Sequence, residues 1–573
     1  MHSSIGSTVY NIEGSLPLSQ SPPKPWNSTN LQENLFEDQQ IKMLGGLPRI
    51  RFASTAKNCP SLFVRSTMAK IDTVPRQYPQ IAVRNLSSNS KIPLISRRQF
   101  QSNASGRAAV TDLPIFNDGP IPEPYIPNST AKIPGLSVYD AAISDRSTYW
   151  QKIPRWKDVS EAKFLEYKFH ASNTINTMMQ LEVFMLEVLP PVLRRHPDFP
   201  GIVTREDFID DVKGGIKAAP MSIRMPPHIL SIIDWNNPFD DPIRRQFIPM
   251  KSSKLEDHPK VELDSLHESD DSPVEGFVHR YYDKALFLAT SICPLYCRFC
   301  TRSWSIGPET EKVKKTAFKP LLKRWEEIFT YIEDTPQLQD IVISGGDCYS
   351  LTAENLRLIG ERLIAIPHIK RFRFATKGLA VSPVRILDDR DGWAAEMIRL
   401  SKSAKEAGKS MAIHTHFNHP RELTWISKMA LQKLHVNNVT VRNQTVLLRG
   451  VNDDVATMSE LIKKVADNNV IPYYVYQADM VQFVEDLRTP LSTILDLERH
   501  IRGSIGGFVT PNFVVDLPGG GGKRLAASYD TYDPATGRST FTAPAVTGKN
   551  KENRVYEYWD PLHSLSKPAT SSS

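Results

Sequence analysis

From Phe277 onward the chain alternates short β-rich runs with helical runs, and this alternation restricts the fold more than any other feature. The β-rich runs are 285–290, 340–344, 371–376, 411–417, 438–447 and 473–476, and the helical candidates include 322–332, 353–364 and 393–407. Six successive β/α units imply a parallel sheet covered by helices, because a parallel connection needs a crossover long enough to hold a helix. No G-x-G-x-x-G opens the first helix. The expected fold is therefore α/β, a partial (β/α)6 barrel over residues 276–511 rather than a dinucleotide-binding sheet, with catalytic side chains at the C-terminal strand ends. Upstream, residues 111–275 read as a helical N-terminal layer: Phe164, Tyr167, Phe169, Met178, Leu181, Phe184 and Val188 recur mostly at three- and four-residue steps between Trp150 and Leu193. The acidic, Ser-containing stretch 256–272 reads as a surface loop.

Five cysteines among 573 residues are too few for a disulfide framework, and three of them form Cys293-x3-Cys297-x2-Cys300 directly after the first strand. Three thiolates at this spacing can hold one [4Fe-4S] cluster and leave one iron open. A structural zinc site would want four ligands, and Cys59 and Cys348 offer no paired second half.

Two glycine-rich stretches follow. The second strand ends in Ser344-Gly345-Gly346-Asp347, which taken alone is a tight turn. Residues 512–523 read Asn512-Phe-Val-Val-Asp516-Leu-Pro-Gly519-Gly520-Gly521-Gly522-Lys523. The glycines allow close approach of a ligand, and the lysine suits either a Schiff-base nucleophile or a phosphate contact. A Walker loop is excluded, since Leu517 stands where its first glycine must be and Arg524 replaces its Ser or Thr.

The cysteine spacing with Phe299 before the last thiol, followed by the Gly-rich strand end, resembles the radical S-adenosylmethionine superfamily. The Gly-rich run ending in Lys523 narrows this to a resemblance to the lysine 2,3-aminomutase family. Further matches run in order through Asp241-Pro-Ile-Arg-Arg-Gln, His279-Arg280-Tyr281, Thr415-His416-Phe-Asn-His419-Pro, Asn443-Gln444 to Asn452-Asp453, and Tyr474-Val-Tyr-Gln477-Ala-Asp479, covering roughly Met221 to Arg524. The resemblance implies a barrel of radical S-adenosylmethionine type. Cys293, Cys297 and Cys300 are then expected on the [4Fe-4S] cluster, with Ser344, Gly345, Gly346, Asp347, His416 and Gln444 around S-adenosylmethionine. It also implies Lys523 as the attachment point of pyridoxal 5'-phosphate, Arg280 and Tyr281 at the cofactor's phosphate, Arg302 at the substrate carboxylate, and Asp479 and Asp516 at the ε-ammonium of L-lysine. The expected activity is L-lysine 2,3-aminomutase, an isomerase forming β-lysine, with an electron donor for the cluster and self-association as a homo-oligomer.

Several positions depart from the family pattern. Lys284 stands where a second phosphate-binding arginine is usual, and Ser303-Trp304 replace an arginine run. Asp454 occupies a position where bacterial members can place a zinc-binding cysteine, and no cysteine follows Cys348, so no zinc is expected. Within the family, an aminomutase for another amino acid is the alternative, and two readings from other classes remain. His414 and His416 share one strand face with His419 nearby, which with Asp479 or Asp516 would suit a zinc-dependent barrel hydrolase. A non-enzymatic Fe-S scaffold with a basic RNA-binding arm is the other.

Charge separates the N-terminus from the rest. Residues 43–110 hold eleven Lys or Arg against the single acid Asp72, a local +10 within a chain total of +7, so the body is slightly acidic and no nucleic-acid partner is expected. Arg-rich, Ser-rich and acid-poor, the stretch 43–110 reads as a mitochondrial-matrix targeting segment within a disordered extension 1–110 whose first 42 residues are polar and partly acidic; a basic arm is the alternative, and the location is otherwise cytoplasmic. No run approaches 18 apolar residues, so no membrane partner is expected.

Overall fold

In the computed structural model, residues 146–546, 551 and 553–565 are described; the targeting and disorder expectations for 1–110, and the first part of the expected helical layer, 111–145, lie outside them. Nine strands form one sheet in chain order. They are β1 Phe277–Val278, β2 Lys284–Thr290, β3 Asp340–Gly345, β4 Arg371–Ala375, β5 Ser410–Thr415, β6 Thr440–Val446, β7 Ile471–Tyr476, β8 Asn512–Leu517 and β9 Gly522–Leu525. β2 to β8 are parallel. β1 and β9 run antiparallel at the two edges.

The helices Leu322–Glu333, Ala353–Ala365, Trp393–Glu406, Trp425–Val436, Val455–Asp467 and Leu491–Ser504 fill the six crossovers. The partial α/β barrel expected from the alternation is thus observed. The sheet runs past residue 511, because β8 pairs with β7 and supplies a seventh parallel strand. Strand alternation sorts its two faces. Phe287, Ile341, Ile343, Phe372, Phe374, Ile413 and Phe513 are buried in the main apolar core. Side chains that alternate with the core positions of their strands, among them Lys284, Ser344, Arg373, His414, Gln444, Tyr476 and Asp516, line the lumen.

The N-terminal layer is helical but in short pieces, including Glu161–Phe164, Tyr167–Asn173 and Met178–Val188. Pro154 opens a separate 3-10 turn, and Thr177 starts the last helix with a capping box to Gln180. Trp150 stacks on Phe164 at 4.3 Å. Asp241, the first residue of the Asp-Pro-Ile-Arg-Arg-Gln run, caps Pro242–Phe247 by accepting from Ile243 and Arg244 N–H at 2.9 and 2.7 Å. A second sheet of β10 Thr531–Asp533, β11 Arg538–Thr542 and β12 Val555–Trp559 follows the barrel.

The stretch 256–272 is only in part a surface loop: Glu256, Lys260, Glu262, Ser269 and Asp270 are exposed, but the stretch also sends side chains inward. Its His258, Ser265, Leu266 and Glu268 are buried. Its backbone bridges Glu262 to Val481, and Ser265 C=O accepts from Gly519 N–H at 2.8 Å. Polarity suggested exposure throughout, but Glu268 and Asp271 turn inward, where Arg302, Arg280 and Lys551 pair with them.

Among the described residues, no helix is long and apolar enough to cross a membrane.

Candidate active site

A cleft of about 370 Å³ opens along the lumen, and the site residues named from the sequence, except His419, line it: Cys293, Cys297, Cys300, Arg280, Tyr281, Lys284, Arg302, Ser344, Gly345, Gly346, Asp347, His414, His416, Gln444, Asp479, Asp516 and Lys523. His419 does not; its side chain caps the turn Pro420–Glu422 instead.

The three cysteines lie on the loop after β2 and are free thiols. Arg298, between two of them, anchors this loop: its Nη2 donates to both carboxylate oxygens of Asp486 at 2.9 and 3.0 Å, and its backbone N–H donates to Gln246 C=O at 3.0 Å. The loop stem is held against the end of β3, where Gly346 and Asp347 N–H donate to Thr290 and Ile292 C=O at 2.5 and 2.9 Å. This contact requires glycine. A Cβ on Gly345, whose φ is +119°, would stand 2.2 Å from Thr290 O, and one on Gly346 would stand 2.4 Å from Ile292 O. Asp347 accepts from Tyr349 and Lys377 N–H, both at 2.8 Å, and so shapes the strand end rather than projecting freely.

Burial pushes all three thiols up, Cys297 to about 12. Thiolates at neutral pH there need the positive charge of a metal. Among the described residues no three His, Cys, Asp or Glu side chains converge on a single ion. Three half-buried free thiols on one loop of the cleft suit a multi-iron cluster, in which each thiolate takes a different iron.

The tops of β5 and β6 carry a polar lattice. Asn418 Oδ1 receives Val446 N–H and His416 Nε2–H, both at 2.9 Å, and Asn452 Nδ2 donates to Asn418 C=O at 2.8 Å. Burial, reinforced by Lys377, holds His416 well below the usual histidine range. His414 is pushed to about 3 by burial and the nearby Arg373 and Arg442, while its Nδ1 accepts from Gln444 Nε2 at 2.7 Å. Among the described residues, no three His, Cys, Asp or Glu side chains converge as the hydrolase reading would require, and His416 Nε2 is taken up by Asn418.

At the other end, Lys523 Nζ is ion-paired with Asp516 Oδ2 and lies 5.5 Å from the centroid of Tyr476. Its backbone N–H donates to Tyr281 OH at 3.1 Å. Burial alone would lower Lys523, but the facing charge of Asp516 outweighs it and raises the ammonium well above its usual range. For Asp516, the charges of Lys523 and Arg280 overcome the upward pull of burial. Asp479 has no such partner: burial and the nearby Asp516 push it up to about 8. Asp479 Oδ1 and Asp516 Oδ1 are both buried without a hydrogen-bond partner.

Arg280 donates to Asp271 and to Leu266 C=O, and Lys551 Nζ pairs with the same Asp271. A Cβ on Gly520 would lie 2.9 Å from Lys551 Nζ and 3.4 Å from Asp271. Asp271 thus sits between two cations beside the glycine turn, and Arg280 also lines the cleft. Lys284 stands 3.9 Å over the Tyr281 ring and is lowered to about 8 by burial and by Lys523.

No family model matches the chain. Among curated proteins it is similar to the L-lysine 2,3-aminomutase of Clostridium subterminale, with 36% identity over 370 residues, 64% of this chain and 79% of that protein. The chain belongs to the lysine 2,3-aminomutase family. It is also similar to the L-lysine 2,3-aminomutase of Bacillus subtilis, 34% identical over 375 residues, 65% of this chain and 71% of that protein. The glutamate 2,3-aminomutase of Clostridioides difficile is 33% identical over 297 residues, 52% of this chain and 65% of that protein. The chain is accordingly a member of a family of radical S-adenosylmethionine isomerases.

For this aminomutase-family chain, sequence reasoning missed Glu268, Asp271 and Tyr476. Tyr476 could have been found, since alternation along 473–476 puts it on the lumen face with Tyr474. Asp454, where relatives can place a zinc-binding cysteine, is the cap of Val455–Asp467 and accepts from Thr457 N–H at 2.8 Å.

Proposed function

We propose that the protein is an L-lysine 2,3-aminomutase, which moves the α-amino group of L-lysine to C3. The observation that carries this is the pair Asp479 and Asp516, each presenting a buried, unpartnered carboxylate oxygen to the cleft that Arg302 also lines. Two buried carboxylates repel a side-chain carboxylate and welcome an ammonium, so the site favours lysine over glutamate.

Cys293, Cys297 and Cys300 would hold a [4Fe-4S] cluster, and Ser344, Gly345, Gly346, Asp347, His416 and Gln444 border the space for S-adenosylmethionine. Lys523 would carry pyridoxal 5'-phosphate, with Arg280, Tyr281 and Lys284 at its phosphate. When bound, these groups supply a carbon-centred radical able to take hydrogen from C3 and a conjugated π system able to delocalise the unpaired electron during nitrogen migration. The chain's own residues bind and orient. Arg302 takes the α-carboxylate, Asp479 and Asp516 share the ε-ammonium, and Tyr281 pins the backbone of Lys523 by its hydroxyl. The lumen walls exclude water from a reactive radical. His416, kept neutral, donates through Nε2 to Asn418 and adds no charge beside the cysteine loop.

Re-reduction of the cluster calls for an electron donor, and self-association and mitochondrial delivery through the basic segment 43–110 are part of the same proposal. The test is an anaerobic assay of reconstituted protein with a panel of amino acids. Lysine should be converted and glutamate and alanine should not; comparable conversion of glutamate would overturn the substrate assignment.

A further inference from the structure

Arg302 follows the cysteine loop by two residues and has no neighbour on its own strand or helix to fix its side chain. What fixes it is Glu268. Arg302 Nε donates to Glu268 Oε2 and Nη2 to Oε1, both at 2.7 Å, a bidentate pair across 34 residues. Glu268 is the more deeply buried partner, at 6% side-chain exposure against 21% for Arg302. Its own position is set from both sides: Glu268 N–H donates to Asp264 Oδ1 at 3.1 Å, and Ser272 Oγ donates to Glu268 C=O at 2.8 Å.

A guanidinium has two edges suited to a carboxylate, one formed by Nε and one Nη, the other by the two Nη atoms. Glu268 occupies the first. Among the described residues Nη1 has no hydrogen-bonding partner, and Arg302 lines the cleft. We propose that Glu268 is a positioning residue that orients Arg302 so that its second edge faces the cleft, ready for the α-carboxylate of the substrate. This rests on the assignment of Arg302 to that carboxylate. An arginine side chain carries several rotatable bonds, and the fixed fork is what turns its charge into a directional contact. Without Glu268, Arg302 would also be a partly buried cation lacking its counter-charge. The stretch 256–272 thus belongs to the substrate site, where its polarity is used.

The test compares L-lysine with L-lysinamide, which keeps both amines and lacks the carboxylate, for binding to reconstituted holoenzyme. Glu268→Gln keeps the shape but presents an N–H2 to one guanidinium N–H. It should weaken L-lysine by roughly 10- to 100-fold, the range of one or two charge-assisted hydrogen bonds, while L-lysinamide changes by less than about 3-fold. In turnover the loss should appear in KM more than in kcat. Arg302→Gln should give the same pattern, and the double variant should be no more than about 3-fold worse than Arg302→Gln alone, since both act through one contact. Glu268→Asp, too short for both oxygens, should give a smaller loss with the same ligand preference, and it serves as the probe if Glu268→Gln loses iron or cofactor. Equal weakening of both ligands by either Glu268 variant, or unchanged lysine affinity in Glu268→Gln while Arg302→Gln loses it, would overturn the proposal. If Arg302→Gln itself leaves lysine affinity intact, the carboxylate assignment falls first and the positioning role with it.

Discussion

Asp516 and Lys523 are direct partners across the antiparallel β8–β9 pair, and their side chains meet as an ion pair on the lumen face. The turn between them depends on glycine: Gly519, Gly520 and Gly522 have φ of +69°, +82° and +81°, which side-chain-bearing residues rarely adopt. Residues opposite each other in an antiparallel pair share a face, so this hairpin places the lysine against one of the two carboxylates assigned to substrate. The same charge that steadies Lys523 keeps it protonated.

Asp479→Asn and Asp516→Asn should each lower kcat/KM for lysine by roughly 10- to 1000-fold, at about 1.4 kcal/mol per decade. Iron and cofactor content should be retained. The two variants should differ in one respect: only Asp516→Asn should move the pH at which Lys523 becomes reactive toward pyridoxal phosphate, and downward, because the charge that raises its pKa is gone. Steady-state kinetics with borohydride trapping across pH would show both effects.

Asp479 sets a pH dependence. Its folded-state pKa of about 8 stands above the ordinary 3.8, so its contribution to stability is complete below pH 4 and is lost as pH rises through 8. The protein without cofactors should therefore gain in melting temperature at pH 8 on Asp479→Asn and show no gain near pH 4. Substrate ammonium favours the ionised carboxylate, so lysine binding below pH 8 should release protons. Calorimetry in buffers of different ionisation enthalpy would detect them.

Removing any one thiol by Cys293→Ala, Cys297→Ala or Cys300→Ala should lower bound iron and abolish turnover, since a cluster with three protein ligands loses a fixed corner. Iron analysis and visible absorbance after reconstitution give the answer. Full iron with full activity in any of the three would remove the cluster assignment.

Lys523→Ala should eliminate the visible absorbance of lysine-linked pyridoxal phosphate while the Fe-S absorbance persists. Peptide mapping after borohydride reduction should find the label on Lys523 in the unmutated protein; a label on Lys284 would reassign the attachment point.

Gly345→Ala should destabilise by on the order of 3 kcal/mol or more, because the new Cβ would stand 2.2 Å from a backbone oxygen at a φ of +119°. Thermal unfolding measures it. Since Thr290 belongs to the stem of the cysteine loop, iron retention should fall as well.

The partial barrel was legible in the chain because it is built from local periodicity. A β-rich run followed by an amphipathic one needs no distant partner to be recognised, and the runs at 340–344, 371–376 and 353–364 match β3, β4 and the helix Ala353–Ala365 within a residue or two. The cysteine triplet was legible for the same reason, since its ligands lie on one short loop. Lys523 and the two aspartates were legible only through their resemblance to a family, because Asp479 and Asp516 singly are indistinguishable from surface acids.

The tertiary structure alone decided the rest. That Asp516 faces Lys523 depends on the register of β8 against β9, and that Glu268 holds Arg302 depends on the stretch 256–272 folding inward over the barrel mouth. A polar sequence there reads as exposed because burial of charge is costly, and the cost is met only by partners elsewhere in the chain: Arg302 for Glu268, Arg280 and Lys551 for Asp271. Local sequence thus determined the elements and the cysteine loop. Which charges neutralise one another inside the lumen was decided by the packing of segments that are distant along the chain.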